Sequence, residues 1–163
     1  MQDIGRTEAY FVSFLQDIGA IYMMRYDSEH YAEHYLNAQL GLPLSGYLQE
    51  YEHYQTAHTF LGSVVARRWH LGDILAKSLL LHHGDSLQVI DEYDPKVAKM
   101  VALIQAANAL VYDVFSDHYT THEVKQTLHD AIAYLNLPEN AIESAKAALQ
   151  KWGQEPSLFL ASH

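Results

Sequence analysis

Along residues 6–24 the apolar side chains Phe11, Phe14, Leu15, Ile18, Ile21 and Tyr22 recur at spacings of three and four, which predicts one helix with a buried face. A second helix is predicted from about Ser28, placed as its N-cap, to Leu40, with Gly41 and Pro43 ending it. Ser45 stands where it can cap a short segment carrying Tyr47, Leu48, Tyr51 and Tyr54. From Thr56 the positions Phe60, Leu61, Val64, Val65 and Trp69 predict another amphipathic helix, and Gly62 offers a point of close approach to a neighbour. Asp73 is read as the cap of a helix through Ile74, Leu75, Ser78, Leu79 and Leu81, apolar nearly all round and therefore central. His82-His83-Gly84-Asp85 ends it, and a loop is expected as far as Asp94-Pro95, an N-cap followed by proline at the first helical position.

Residues 95–116 predict the longest helix, with Val97, Met100, Val101, Ile104, Ala107, Leu110, Val111 and Val114 inward. Thr120-x-x-Glu123 fits a capping box for a helix to Tyr134, and Pro138 opens a last one to Trp152, closed by Gly153. The tail from Gln154 is expected to fray, with Leu158, Phe159 and Leu160 available to dock on the body. The pattern holds no internal repeat and no convincing strand. It predicts an all-α chain of about seven helices.

Length changes the picture only by limiting it: 163 residues suffice for one domain, taken as 1–153 with 154–163 as a tail. No run approaches the roughly eighteen apolar residues of a membrane span, and no basic-then-apolar leader opens the chain. A soluble cytoplasmic protein is the expectation. The formal charge of −10 opposes nucleic acid and anionic membrane as partners, and Arg67-Arg68 is the densest basic patch. With no cysteine and 11 histidines, any metal must be held by His, Asp, Glu or water.

Candidate metal ligands are Asp17, His58, His82 and His83. Adjacent residues on a regular helix point about 100° apart, so His82 and His83 can share a site only if the helix ends between them, as Gly84 allows. The competing reading makes one of them a C-terminal cap and leaves the other to packing or solvent. His30 and His34 have the i, i+4 spacing of a chelating pair, but Glu33 lacks the metalloprotease offset, so they are read as solvated surface. Glu50 and Glu52 could orient a histidine or simply solubilise a tyrosine-rich segment, the commoner case. His118, His122 and His129 are assigned no role, and no phosphate-binding glycine loop or Gly-x-Ser-x-Gly turn occurs.

Phe14-Leu-Gln-Asp17-Ile-Gly19, Glu50 eight residues before His58, Leu61-Gly62, Trp69-x-Leu71 and His82-His83 together resemble the HDOD output domain, a branch of the HD phosphohydrolase superfamily found in bacterial signalling proteins. The resemblance runs from about residue 8 to 116 and loosely over the last two helices. It implies an HD-superfamily-like helical bundle. It also implies that several further N-terminal helices are missing here, so the chain is expected to be a fragment or a shortened form that covers its exposed face by self-association, as a homodimer.

Departures from the superfamily pattern bear on activity. The His-Asp dyad reads Gln16-Asp17, no histidine precedes His30, and the closing aspartate reads Asn108. An amide binds a hard cation more weakly than a carboxylate. The resemblance leaves Asp17, His58, His82 and His83 as a partial, vestigial set of metal ligands, similar to additional ligands of the related HD-GYP branch. It therefore implies a non-catalytic regulatory module acting through protein contacts, with no cofactor expected. The alternative is a metal-dependent phosphohydrolase acting on a phosphate ester or cyclic nucleotide, with iron, manganese, zinc or magnesium at those residues.

Overall fold

The structure, a computed structural model, describes residues 4–36, 38–84, 86–116 and 119–152. All regular elements among them are helical: α1 Arg6–Leu15, α2 Ile18–Tyr26, α3 Ser28–Tyr31, a π-helical segment Ala32–Leu36, α4 Ala38–Gly41, α5 Ser45–Tyr54, α6 His58–Arg68, α7 Asp73–Leu81, α8 Leu87–Tyr93, α9 Pro95–Phe115, α10 His122–Leu135 and α11 Glu139–Trp152. The all-α expectation holds. Gly153 and the tail lie outside the described residues.

The central element is α9, which packs against α1, α4, α7, α8, α10 and α11. One of its faces joins Leu87 and Ile90 of α8 and Ala131 of α10 around Val97, Ala98, Val101 and Ala102. Another places Met100 and Ile104 against Val12 and Leu15 of α1 and Ala76 and Leu79 of α7. Burial on two sides accounts for apolar positions on more than one face of α9, Val97 and Val101 on one and Met100 and Ile104 on another. It is also long and apolar enough to cross a membrane, yet Val97, Val101 and Ile104 are wholly enclosed by protein, as in a core helix. Val111 stays exposed, and Ala107 and Val114 are half-buried rather than core. A third cluster, Ala20, Met23, Tyr31 and Tyr35, fixes α2 to α3 and the π-helical segment.

Several predicted boundaries shift for identifiable reasons. The single helix expected over 6–24 breaks at Gln16-Asp17, where Asp17 takes φ −103°, ψ 17°, a bridge-region conformation that interrupts helical propagation. The helix expected from Ser28 to Leu40 divides into α3, the π-helical segment and α4, and its N-cap is Asp27. The expected loop before Asp94 contains α8, whose Ser86 hydroxyl accepts from the Val89 N–H and whose Leu87 and Ile90 enter the core. Asp94 caps α9 as predicted, accepting from the Val97 N–H with Pro95 behind it. The cap of α10 is Thr121, one residue later than the predicted box. Glu123 serves elsewhere: its carboxylate accepts from the N–H groups of Leu44 and Ser45 and from the Ser45 hydroxyl, anchoring the start of α5.

The buried face predicted over 6–24 is only partly realised, since Phe11, Phe14, Ile21 and Tyr22 are exposed, and the inward face of α6 differs as well. Phe60, Val64 and Trp69 are 54%, 47% and 51% exposed, whereas His58, Thr59, Gly62, Ser63, Val65 and Ala66 are buried. Close approach of α2 selects this small, partly polar face. A β-carbon on Gly19 would lie 1.8 Å from the His58 carbonyl oxygen and 2.6 Å from the Gly62 nitrogen, while one on Gly62 would meet nothing nearer than 3.6 Å. The glycine that permits the crossing is therefore Gly19, not Gly62. Their contact brings the α1–α2 break directly over the first turn of α6.

Candidate functional site

Asp17, His58, His82 and His83 converge, each offering a ligand atom within 4.8 Å of the others. The broken helix turns the Asp17 carboxylate toward the start of α6, leaving the side chain half-exposed. Asp17 Oδ1 lies 3.6 Å from His58 Nε2 and 3.7 Å from His82 Nε2, and the two nitrogens are 3.4 Å apart. His83 packs its ring 4.2 Å from that of His82 and 5.1 Å from that of His58, centroid to centroid.

The imidazoles are held from behind. His58, fully buried on the first turn of α6, donates its Nδ1–H to Glu50 Oε2 over 2.7 Å. That bond turns Nε2 toward Asp17 and His82. His82 terminates α7 and donates its Nδ1–H to the Leu79 carbonyl at 2.9 Å, so one contact both caps the helix and frees Nε2. Its own carbonyl accepts from Gln105 Nε2 of α9. His83 stacks on Tyr47, and its Nδ1 has no hydrogen-bond partner among the described residues.

Glu50 is a wholly buried carboxylate. Its Oε1 accepts from the Tyr31 hydroxyl at 3.1 Å and the His58 N–H at 2.8 Å, and its Oε2 accepts from Gln39 Nε2 at 2.6 Å as well as from the His58 ring. A buried carboxylate is tolerable only with its lone pairs so occupied. Burial, reinforced by the charge of Glu50, pushes the Tyr31 hydroxyl far above its ordinary range and keeps it a donor. Glu50 is thus an orienting residue, while Glu52 is exposed. Tyr31 and Gln39 carried no signal in the sequence, since they approach Glu50 only through the packing of α3 and α4 on α5.

Electrostatics favour an anionic Asp17 and a neutral His83. Crowding opposes the charge of its carboxyl, but the hydrogen bond and charge of His82, with the charge of His58, outweigh this and hold it below the usual carboxylate range. Burial, then the proximity of His82 and His58, keeps His83 well below the ordinary histidine range, partly offset by a hydrogen bond with the Pro43 backbone.

Nitrogen or oxygen ligands about 2.0–2.2 Å from a tetrahedral ion lie roughly 3.3–3.5 Å from one another. The spacings among Asp17, His58 and His82, 3.4, 3.6 and 3.7 Å, are at or slightly beyond this range and could hold one divalent ion after a small adjustment, and the chemistry of the set suits iron, manganese or zinc. The orphaned Nδ1 of His83 is a further donor beside it.

Residues 1–84 match the HDOD domain. The chain belongs to the HDOD family. No curated protein and no solved structure matches it. The HDOD match contains Asp17, His58, His82 and His83 and ends at Gly84, so Asn108 lies beyond it. Across that boundary Gln16 Nε2 donates to Asn108 Oδ1 at 2.8 Å. The two positions where the superfamily resemblance expects a histidine and an aspartate are therefore bonded to each other.

Two cavities border this half of the site. A cavity of about 20 Å³ touches Gln39, His82, His83, Gln105 and Asn108, roughly enough for one water. A cleft of about 150 Å³ lies outside it, against Pro43, His83, Gln105 and Asp130. Pockets that take small organic ligands run to about 300–1,000 Å³.

Proposed function

We propose that this HDOD domain is a non-catalytic bacterial signalling module, cytoplasmic, that works through protein contacts, self-association as a homodimer among them. The observation that carries the reading is the Gln16–Asn108 hydrogen bond. It seats an amide at each of the two positions where the superfamily resemblance expects a histidine and an aspartate, engaging Asn108 Oδ1 and supplying neither an imidazole nor a negative charge to a reactive metal, and hydrolysis needs that positioning. The small cavities beside it are consistent with this. Exposed apolar side chains supply contact surface: Tyr10 and Phe14 on α1, Ile21 on α2, Phe60 and Val64 on α6, then Trp69. Purified protein supplied with manganese or iron should leave phosphate esters and cyclic dinucleotides intact. Turnover that Asp17→Ala removes would end this reading.

A second reading, a metal-dependent phosphohydrolase, is favoured by the spacing of Asp17 Oδ1, His58 Nε2 and His82 Nε2. In it those three residues and His83 hold the ion, which supplies Lewis acidity toward a phosphoryl oxygen. Glu50 and the Leu79 carbonyl fix the tautomers of His58 and His82. Asp17 contributes the negative charge. Metal analysis of protein purified without chelator separates the two readings: hydrolysis requires stoichiometric metal, and its absence removes this alternative.

A further inference from the structure

A second group of histidines stands apart from the first. His30 of α3 and His34 of the π-helical segment have ring centroids 4.3 Å apart, and His53 of α5, 19 residues further along the chain, brings its ring to 4.7 Å from that of His30. Tyr35 closes the group against all three rings. From the sequence His30 and His34 are a lone i, i+4 pair on a solvated surface; the fold adds the third imidazole.

Two observations point to a ligand. His30 Nε2 is shut off from solvent and has no hydrogen-bond partner among the described residues. A shielded nitrogen left unpaired is an unusual cost, met either by a missing partner or by an ion. His34 also sits in a π-helical turn, a departure from regular geometry that recurs at functional sites. His34 and His53 are both exposed, so their rings can rotate between staggered positions to direct a nitrogen toward His30 without disturbing the core.

We propose that His30, His34 and His53 form a binding site for a borderline divalent cation of the zinc class, with water completing the coordination. Three imidazole ligands without thiolates suit zinc, nickel or copper over calcium or magnesium. The consequence is mechanical. His30 is next to Tyr31, and His53 is three residues after Glu50, so an ion here ties α3 and the π-helical segment to α5 across the Tyr31–Glu50 bond that orients His58. Occupancy at the surface thereby stiffens the support of the inner cluster. The inference does not depend on whether the protein is catalytic.

The test is Zn²⁺ titration of the full chain after chelator treatment, followed by calorimetry, for the parent, His34→Ala/His53→Ala and Asp17→Ala. Both replaced histidines are exposed, so the double variant keeps its fold, checked by circular dichroism. It should bind one Zn²⁺ fewer than the parent, or bind that ion on the order of tenfold or more weakly, while Asp17→Ala retains it. Unchanged Zn²⁺ stoichiometry and affinity in the double variant would overturn the proposal, as would a parent that binds no Zn²⁺ or loses all of it with Asp17→Ala.

Discussion

Gln16 Nε2 donates to Asn108 Oδ1 across 2.8 Å, linking the residue before Asp17 to the core helix α9. The bond is partly buried and joins positions 92 apart in sequence, so it orders the α1–α2 break as well as engaging one end of each amide. Removing either partner takes this bond from the other. Gln16→Leu and Asn108→Ala should each lower unfolding free energy by about 1–2 kcal/mol. In a double-mutant cycle by urea denaturation the two losses should fall short of additive by about 0.5 kcal/mol or more. Strict additivity would mean that the amides do not act on each other.

Gly19 and Gly62 face one another across α2 and α6 but are not equivalent. A side chain at Gly19 meets backbone at 1.8 Å, which only movement of a helix relieves, so Gly19→Ala should cost about 3 kcal/mol or more. Gly62→Ala finds ordinary contact distances from 3.6 Å and should be neutral or gain up to about 1 kcal/mol from helix propensity. Thermal unfolding of the two variants side by side checks the asymmetry.

Much of the fold is legible where local chemistry marks it, and obscured where distant packing decides. Asp94-Pro95 announces α9 because cap and proline act within one turn. The break at Asp17 has no such mark: no proline interrupts Leu15-Gln16-Asp17-Ile18, and the turn is stabilised by what lies opposite. The face of α6 is misjudged for a related reason. Periodicity weighs the large side chains Phe60, Val64 and Trp69, whereas the crossing at Gly19 demands small ones. At the site, the residue types Asp17, His58, His82 and His83 stand out from the sequence, but the carboxylate that orients His58 is distinguishable from its exposed neighbour Glu52 only in three dimensions.

Glu50 gathers four donors from three elements, α3, α4 and α6. Glu50→Ala strands the Tyr31 hydroxyl, the Gln39 amide and both His58 N–H groups, and should destabilise by about 2–4 kcal/mol, since each buried orphan costs roughly 1–3 kcal/mol before relaxation. Tyr31→Phe removes a single donor and should cost about 1 kcal/mol. Chemical denaturation of both variants would show the ranking, and an equal cost would deny Glu50 its role as the hub.

Asp113 of α9 meets Lys146 of α11 at 2.8 Å and accepts from the Thr120 hydroxyl at 2.8 Å. These contacts, Lys146 first, hold its carboxyl below the usual carboxylate range. A depressed folded-state value means the stabilisation is complete above the unfolded-state value near 3.9 and disappears as pH falls through the lower folded value. Both side chains are about a third exposed, at 28% and 32%, so the contribution should stay below about 1 kcal/mol. The stability difference between the parent and Lys146→Ala, measured by urea denaturation, should be present at pH 6 and vanish as pH drops below the carboxylate range. A difference that persists there would assign the contact a role other than charge.

On the function proposed above, Asp17, His58, His82 and His83 do not support hydrolysis. The most direct test is turnover by the full chain incubated with manganese or iron and a panel of phosphate esters and cyclic dinucleotides, beside Asp17→Ala. The account predicts that both proteins release product at the same background rate. Release by the parent well above background, abolished by Asp17→Ala, would contradict it.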